Sequence, residues 1–570
     1  MIITAEVVAA SAVVLLASAT LSAYVADWIG LTIVPSAVLV GSLAASAGTF
    51  LGLWRRAARD RSSLAAFVVI VSAVMAWLLW LAGRDLLPPG TGPDLTHHLL
   101  LVGYIEQHWR LPHDPQLGPF LGEMVDYSPG AHLLAALAGA WTRTDGLHAM
   151  YPLVALTVAL KCGLVFLIAR RLVRSDVPRI PFAVMAVLLL LMPRAYFIGS
   201  FAQHSFLAQV VAEVFAVALW WALVIWDARP GMLPIAFFAV VGAATFLTWP
   251  VWIGPPLVVL ALCLASRRDV SAVERAKQLI LAVVAIGSIA AAFTASRGRS
   301  AGIVAAAGFV LRPAPAVFGW AFLLVCGAGV CVGLFGRRTR TIPLFLGAIA
   351  LQAGALFLLA QARGSAAPYL ALKMVYLAIY PLAVAGAVGT AAAWQTIVRT
   401  VNTPGVRPGS DPGQTPRCDQ TGSRGVQIPQ WSRAVLWLLL AVFSVTVART
   451  TMQVPRPTPT ISESLLRAGR WTRANANAGC VDYLVADGYT AYWLHLAVLG
   501  NARAAARSLE NDTYELPPAL VRWIEPGGLP YAIVEDFSAL PRDIRDNVDV
   551  AARFGRTAVV KRRGAASCAP

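Results

Sequence analysis

Charge is scarce in this chain. Only 13% of its 570 residues are Asp, Glu, Lys or Arg, about half the usual share in a soluble domain. That shortage excludes a soluble enzyme and a disordered tail protein. Cysteine is scarce too: there are seven, with no CxxC or Cys/His spacing of a zinc module. Cys162, Cys263, Cys326 and Cys331 fall in apolar runs and read as small core residues. No repeat with a period of 20–50 residues appears, which excludes solenoids and propellers. No inverted halves of the transporter kind appear either. Acids are outnumbered, 29 against 46 Lys and Arg, for a net charge of +17.

What is abundant is apolar: 58% of residues are hydrophobic and the mean hydropathy is +0.67. A surplus of that size must face a bilayer, because only lipid accepts it. A span needs about 20 apolar residues. About thirteen runs qualify: 5–25, 31–53, 64–82, 149–169, 180–197, 205–226, 231–248, 251–266, 277–295, 316–335, 342–361, 368–394 and 434–450. Basic residues collect in alternate loops, 21 Lys and Arg on one side against 8 on the other before residue 449. By the positive-inside rule the first side is cytoplasmic. The N-terminus is then cytoplasmic and residues 451–570 lie outside. The basic balance is thereby explained by topology, and nucleic acid is not an expected partner. The expectation is an all-α polytopic bundle over 1–450 with a small extracytoplasmic α/β domain over 451–570. A Pro/Gly/Ser/Thr-rich stretch, 395–433, reads as a cytoplasmic linker. Residues 299–314 are apolar but too short to span, and read as a re-entrant or interfacial segment on the outside.

In the C-terminal region VDYLV (481–485), YAIVEDF (531–537) and AVVKR (558–562) look like strands. ISESLLRAGRWTRAN and DIRDNVDVAARFG look like helices. Cys480 and Cys568 are the two cysteines there; an oxidising compartment permits their pairing, and two unrelated thiols are the alternative. Tyr483, Tyr489, Tyr492, Trp493 and His495 form an aromatic group suited to carbohydrate or to a small core.

The outside loop 83–148 concentrates the ionisable chemistry. It holds seven of the 29 acids and six of the eight histidines. GTGPD leads into LTHHLLLVGYIEQHW, a helix signal with Leu99, Leu100, Val102 and Ile105 as its apolar set. Asp94, His97 and His98 follow i, i+3, i+4 spacing, so they share one side of the first turn. Asp94 there suits a helix cap; flanked by imidazoles at the membrane surface, it also suits a general base or a cation ligand. Pro129 marks a second helix start, with His132 one turn in. Glu123 and Asp126 can supply a second carboxylate. Lys373, inside AAPYLALKMVYLAIYPL, sits about two turns below the outer surface, where a lysine is costly and marks function unless it snorkels. Lys161 lies deeper and is expected to pair with Glu213. Trp249 and Trp252 read as interfacial belt residues.

Asp94, the helix 95–109 and Tyr127-Ser128-Pro129-Gly130 together resemble the outer-loop pattern of the GT-C superfamily of integral-membrane glycosyltransferases. The bundle followed by an outer α/β domain opening on VDYLVADGYTAYWLHLAVLG is similar to the arabinofuranosyltransferase branch. The resemblance implies a polyprenyl-phosphate sugar donor, a cell-envelope glycan or lipid acceptor, and membrane lipids as surroundings. It implies Asp94 as general base, with His97, His98, Asp126, Tyr127, His132, His204, Arg363 and Lys373 in substrate binding. Arg194 and Arg312 are further cations on the outer side. Leu95 follows Asp94 where the family often has a second acid. A divalent cation, Mg or Mn, held by Asp94, Glu123 and Asp126 therefore stays an open alternative. A lipid or polysaccharide flippase and a noncatalytic wall-binding scaffold are the competing classes. The concentration of ionisable groups in one outer loop, rather than at mid-membrane, favours transfer.

Overall fold

A computed structural model describes residues 2–83, 86–88, 93–193, 207–296, 310, 312–334, 336–365, 368–402, 430–452, 459, 461–498 and 518–564. Among the described residues, eight helical segments are long and apolar enough to cross a membrane, and five shorter apolar helices accompany them. Each of the thirteen apolar runs holds at least one helix. This is a multi-pass membrane protein.

Burial sorts the spans into centre and rim. Gly146–Leu172 and Leu207–Ala228 are enclosed almost throughout, with 89% and 94% of their apolar windows buried. Pro35–Trp54, Arg61–Ala82, Ala272–Ser296 and Thr341–Ala362 instead leave most of theirs uncovered. Their outward faces carry exposed Val40, Val69, Val284 and Leu358. A helix apolar all round belongs in the core; one with an apolar outer face belongs against lipid.

Close contact between spans uses small residues. A Cβ on Gly329 would stand 2.0 Å from the Ala385 carbonyl oxygen, and one on Gly389 2.5 Å from Gly329 Cα. Trp320–Leu334 and Ile379–Asn402 thus meet backbone to backbone, the contact mode that small residues permit in membranes.

The paired charges anticipated at mid-bundle are present. Lys161 Nζ donates to Glu213 Oε2 at 2.5 Å, and the Tyr380 hydroxyl donates to the same oxygen at 2.5 Å. Gln209 Nε2 donates to the other oxygen at 3.3 Å. Removing one member of a buried pair strands the other. Lys161→Met is expected to destabilise the protein by about 3–5 kcal/mol, and Lys161→Met with Glu213→Leu to recover most of that. Thermal unfolding in detergent reads both.

Three segments differ from expectation. The run 368–394 is two helices, Tyr369–Tyr376 and Ile379–Asn402, divided at Leu377–Ala378. The linker is shorter than 395–433, because helix continues to Asn402 and resumes at Gln430; its remainder lies outside the described residues. The expected helix DIRDNVDVAARFG is a short helix, Arg542–Asp546, followed by a strand, β3 (Val548–Phe554). The valines at 548 and 550 and the turn at Gly555 (φ 64°) close a hairpin with β4 (Thr557–Arg562), and that pairing overrides the helical look of DVAARF. Most of the interfacial segment 299–314 lies outside the described residues.

The C-terminal sheet also contains β1 (Val481–Leu484) and β2 (Tyr531–Val534), in the order β1-β2-β4-β3. β1 and β2 are parallel; the other pairs are antiparallel. The helix Glu463–Asn475, capped by Ser462, packs against this sheet. One face of the sheet carries its own core of Leu484, Trp523, Ala532, Val534 and Val560, whereas Tyr483, Ile533 and Val559 join the core of the bundle. Cys480 is disulfide-bonded; Cys568 lies outside the described residues.

Candidate functional site

The outer loop folds into two helices. Pro93–His108 comes first, with Asp94 in its first turn, and Gly130–Thr142 second, with Pro129 at its N-cap. The side chain of Asp94 is outside the description. Leu99, Leu100, Leu101, Val102 and Ile105 are all buried, so the middle of the first helix is enclosed on most of its circumference. The loop beyond it is tied down by Asp27, which accepts from Leu111 N at 2.8 Å and meets His113 Nε2 at 2.9 Å. Gly130 is required for the second helix: a Cβ there would lie 2.4 Å from Thr248 Oγ1 and 2.9 Å from Thr248 Cα. The Tyr-Ser-Pro-Gly turn is thereby pressed against the end of the helix Met232–Thr248, just before Trp249.

His97 and His98 point to different partners. His97 Nδ1 meets Glu123 Oε1 at 3.1 Å, and its Nε2 meets the Tyr492 hydroxyl at 2.6 Å. With Glu123 ionised the carboxylate only accepts, so Nδ1 carries the proton and Tyr492 donates to Nε2. The hydrogen bond from His97 lowers the Glu123 pKa despite opposing burial. His98 instead is buried, with Nδ1 2.9 Å from His132 Nε2 and the two rings stacked at 5.1 Å. One of these nitrogens must donate and the other accept, so the pair cannot hold both shared positions protonated.

A ring cluster continues inward from that pair. Tyr127 stands edge-on to His98 at 5.2 Å and to His132 at 5.6 Å. Its ring is 6.0 Å from Trp249. Lys373 Nζ lies 5.2 Å from the Trp249 ring and 4.2 Å from the Tyr369 ring. Lys373 is 3% exposed, so it is enclosed by aromatic faces rather than snorkelled outward. Such faces attract a cation. Trp249 Nε1 is buried with no hydrogen-bond partner among the described residues. By its sequence position alone Trp249 reads as a belt residue. The Trp-Pro step ending a span was the one signal available, and its place beside Lys373 appears only in three dimensions.

The other predicted residues are distributed as follows. The Asp126 carboxylate is half-buried and makes no hydrogen bond among the described residues. Arg363 and Arg312 are exposed. His204 and Arg194 lie outside the described residues. Tyr483, Trp493 and His495 are buried; the Tyr483 hydroxyl meets His495 Nδ1 at 2.7 Å, and Tyr489 is exposed. Among the described residues, no three His, Cys, Asp or Glu side chains gather to hold a metal ion.

The C-terminal domain reaches this site directly. Besides Tyr492, Glu463 Oε2 meets His148 Nε2 at 3.0 Å, while His148 Nδ1 meets Asp145 at 2.7 Å. Arg470 also bonds Asp145. Burial opposes charge on Asp145, but bonds from His148 and Arg470 hold its carboxyl well below the usual range. Glu106, next to this junction, accepts from Gly146 N at 2.5 Å. Burial, aided by the Asp145 charge and opposed by the Gly146 bond, pushes its pKa up to about 7.

Native Glu106 therefore keeps a proton that the unfolded chain releases near its ordinary pKa, and stability falls as pH rises through that window. Asp145 titrates below it and contributes a constant amount there, while His148, whose pKa is raised by its bonds to Asp145 and Glu463, adds to the loss in the upper part of the window. The melting temperature is expected to drop between about pH 5 and 8, and Glu106→Gln is expected to flatten that drop. A thermal melt series across pH checks it.

No family model matches the chain, and no curated protein matches its sequence. Among solved structures, ArnT from Cupriavidus metallidurans, bound to undecaprenyl phosphate, aligns over 87% of this chain and 97% of its own, with 14% identity and TM-score 0.46. The oligosaccharyltransferase AglB of Archaeoglobus fulgidus, with an inhibitory peptide and a dolichol-phosphate, aligns over 72% of this chain and 58% of its own, with 14% identity and TM-score 0.40. The Archaeoglobus fulgidus oligosaccharyltransferase complex with Zn and sulfate gives 15% identity and TM-score 0.41, over 71% of this chain and 55% of its own.

Proposed function

We propose that this chain is a membrane glycosyltransferase of the GT-C kind. It takes a hexosyl or pentosyl group from a polyprenyl-phosphate donor and passes it to a hydroxyl of a cell-envelope glycan or lipid at the outer face. The observation that carries this reading is the continuous cluster from the buried His98–His132 pair through Tyr127 and Trp249 to Lys373. It lies at the end of the bundle where the acid-rich loop and the C-terminal domain meet. Residues 1–450 form the catalytic bundle and 451–570 the outer domain, with the N-terminus cytoplasmic.

Asp94 removes the proton of the acceptor hydroxyl, and that oxygen attacks the anomeric carbon. The bond from that carbon to the phosphate oxygen breaks, and polyprenyl phosphate leaves with the electron pair. Lys373 and the Trp249 indole N–H meet the charge that develops on the departing phosphate. A fixed ammonium in a water-poor site does this far better than one in solvent. His98 and His132 hold the floor of the site in one tautomeric arrangement, with Tyr127 against them. His97, Asp126, His204 and Arg363 contribute to substrate binding. Asp94, Glu123 and Asp126 would hold a Mg or Mn ion if one binds, and it would supply positive charge to the departing phosphate; Glu123 also meets His97 Nδ1 at 3.1 Å. The steps above are those of the protein's own groups.

Purified protein is to be incubated with labelled polyprenyl-phosphate sugars and envelope acceptors, with and without chelator. Label appearing in the acceptor supports the reading, and unchanged transfer in chelator supports chemistry by the protein's own groups. Translocation of the lipid without transfer would replace it with a flippase.

A further inference from the structure

The far end of the bundle holds a second concave site. A cavity of about 730 Å³ opens there, and nine of its eighteen lining residues are arginine, against one acid, Asp227. It lies opposite the His98–Lys373 cluster along the same helices. Gly146–Leu172 ends at it with Arg170 and Arg171, and Met232–Thr248 begins at it with Leu233 and Pro234. The positive-inside rule accounts for basic residues in these loops. It does not account for their convergence on one hollow.

Some of the arginines are neutralised. Arg170 pairs with Asp60, Arg171 with Glu6, and Arg267 and Arg340 both with Asp227. The other five, Arg56, Arg179, Arg229, Arg337 and Arg338, have no carboxylate within 4.0 Å among the described residues. Arg179 is the informative one. Its Nε is buried without a hydrogen-bond partner among the described residues. The charged groups that act on it include Arg170, Arg171 and Arg338, with the lone acid Asp176 opposing them. A buried guanidinium donor among like charges is unfavourable unless an anion fills the gap. Three helices also begin at this wall, at Arg179, Met232 and Thr341, and helix starts favour an anion. The apolar remainder of the lining, including Leu53, Leu172 and Ile225, suits a ligand with a hydrocarbon part.

We propose that this cavity binds a phosphate-bearing anion, independently of the transfer site. The phosphate comes either from an anionic lipid headgroup at that membrane face or from a soluble phosphate compound. The guanidiniums of Arg179 and Arg338 grip its oxygens.

The test uses the full chain purified in detergent. Native mass spectrometry measures retention of phosphatidylglycerol against phosphatidylcholine, and titration calorimetry measures inorganic pyrophosphate. Retention of phosphatidylglycerol over phosphatidylcholine supports a lipid source; pyrophosphate binding alone supports a soluble one. Arg179→Gln with Arg338→Gln is expected to weaken the bound species by about tenfold or more. Arg268→Gln removes one guanidinium from an exposed position on the same face, outside the cavity, and is expected to leave binding unchanged. Equal weakening by Arg268→Gln would overturn the site in favour of diffuse surface charge. So would equal retention of both lipids together with no pyrophosphate binding in the wild-type protein, a result that needs no variant to fold.

Discussion

Asp94→Asn is expected to lower sugar transfer by about 10²–10⁴-fold while leaving folding and membrane insertion intact. Asparagine keeps the size and helix-start preference of aspartate, so the first turn of Pro93–His108 is retained. What it loses is the capacity to accept a proton. An acceptor hydroxyl is a poor nucleophile without a base, and no other carboxylate stands in that turn. Transfer is to be measured with a labelled polyprenyl-phosphate sugar, beside a thermal melt that reports the fold. Wild-type rates from the variant would remove Asp94 from catalysis. Asp126→Asn is the companion, expected to raise KM more than it lowers kcat, because Asp126 is placed in binding.

Lys373→Met is expected to cost about 10²–10³-fold in transfer. Methionine matches the lysine stem in length and is apolar, so the enclosed position between Trp249 and Tyr369 accepts its volume, and a thermal melt separates any loss of fold from loss of rate. Lys373→Arg keeps the charge, yet its planar fork does not fit a space shaped for a compact ammonium. It is expected to recover only part of the rate. A variant with full activity and unaltered donor KM would show that Lys373 serves packing alone. Trp249→Phe, which removes only the unpartnered indole N–H, is expected to give a smaller loss.

The spans were legible because lipid demands length and hydrophobicity together, and few soluble patterns imitate that. The first outer helix was legible from the Pro-Asp start and the apolar stripe through Leu99 and Val102. The break at Leu377–Ala378 was not, since the run is apolar on both sides of it and hydropathy does not register a change of direction. That break places Lys373 on a helix of its own, facing Trp249. The strand Val548–Phe554 was hidden because Asp, Ala and Arg are poor strand residues, and only pairing with Thr557–Arg562 makes them one. His97 and His98 share a turn in the sequence pattern. Their separation into a surface chain ending on Tyr492 and a buried pair with His132 depends on partners 395 and 34 residues away. Arginine frequency showed which loops are basic but said nothing of a hollow between them.

The hydroxyl of Tyr492 on His97 has an implication for building chimeras. The membrane portion and its outer cap do not behave as interchangeable modules joined by a tether. A foreign cap lacking a phenol at that point would leave the imidazole of His97 to turn, and with it the carboxylate of Glu123. Grafts between homologues should therefore carry both sides of the seam, the outer loop and the 488–498 segment, as one exchangeable cassette.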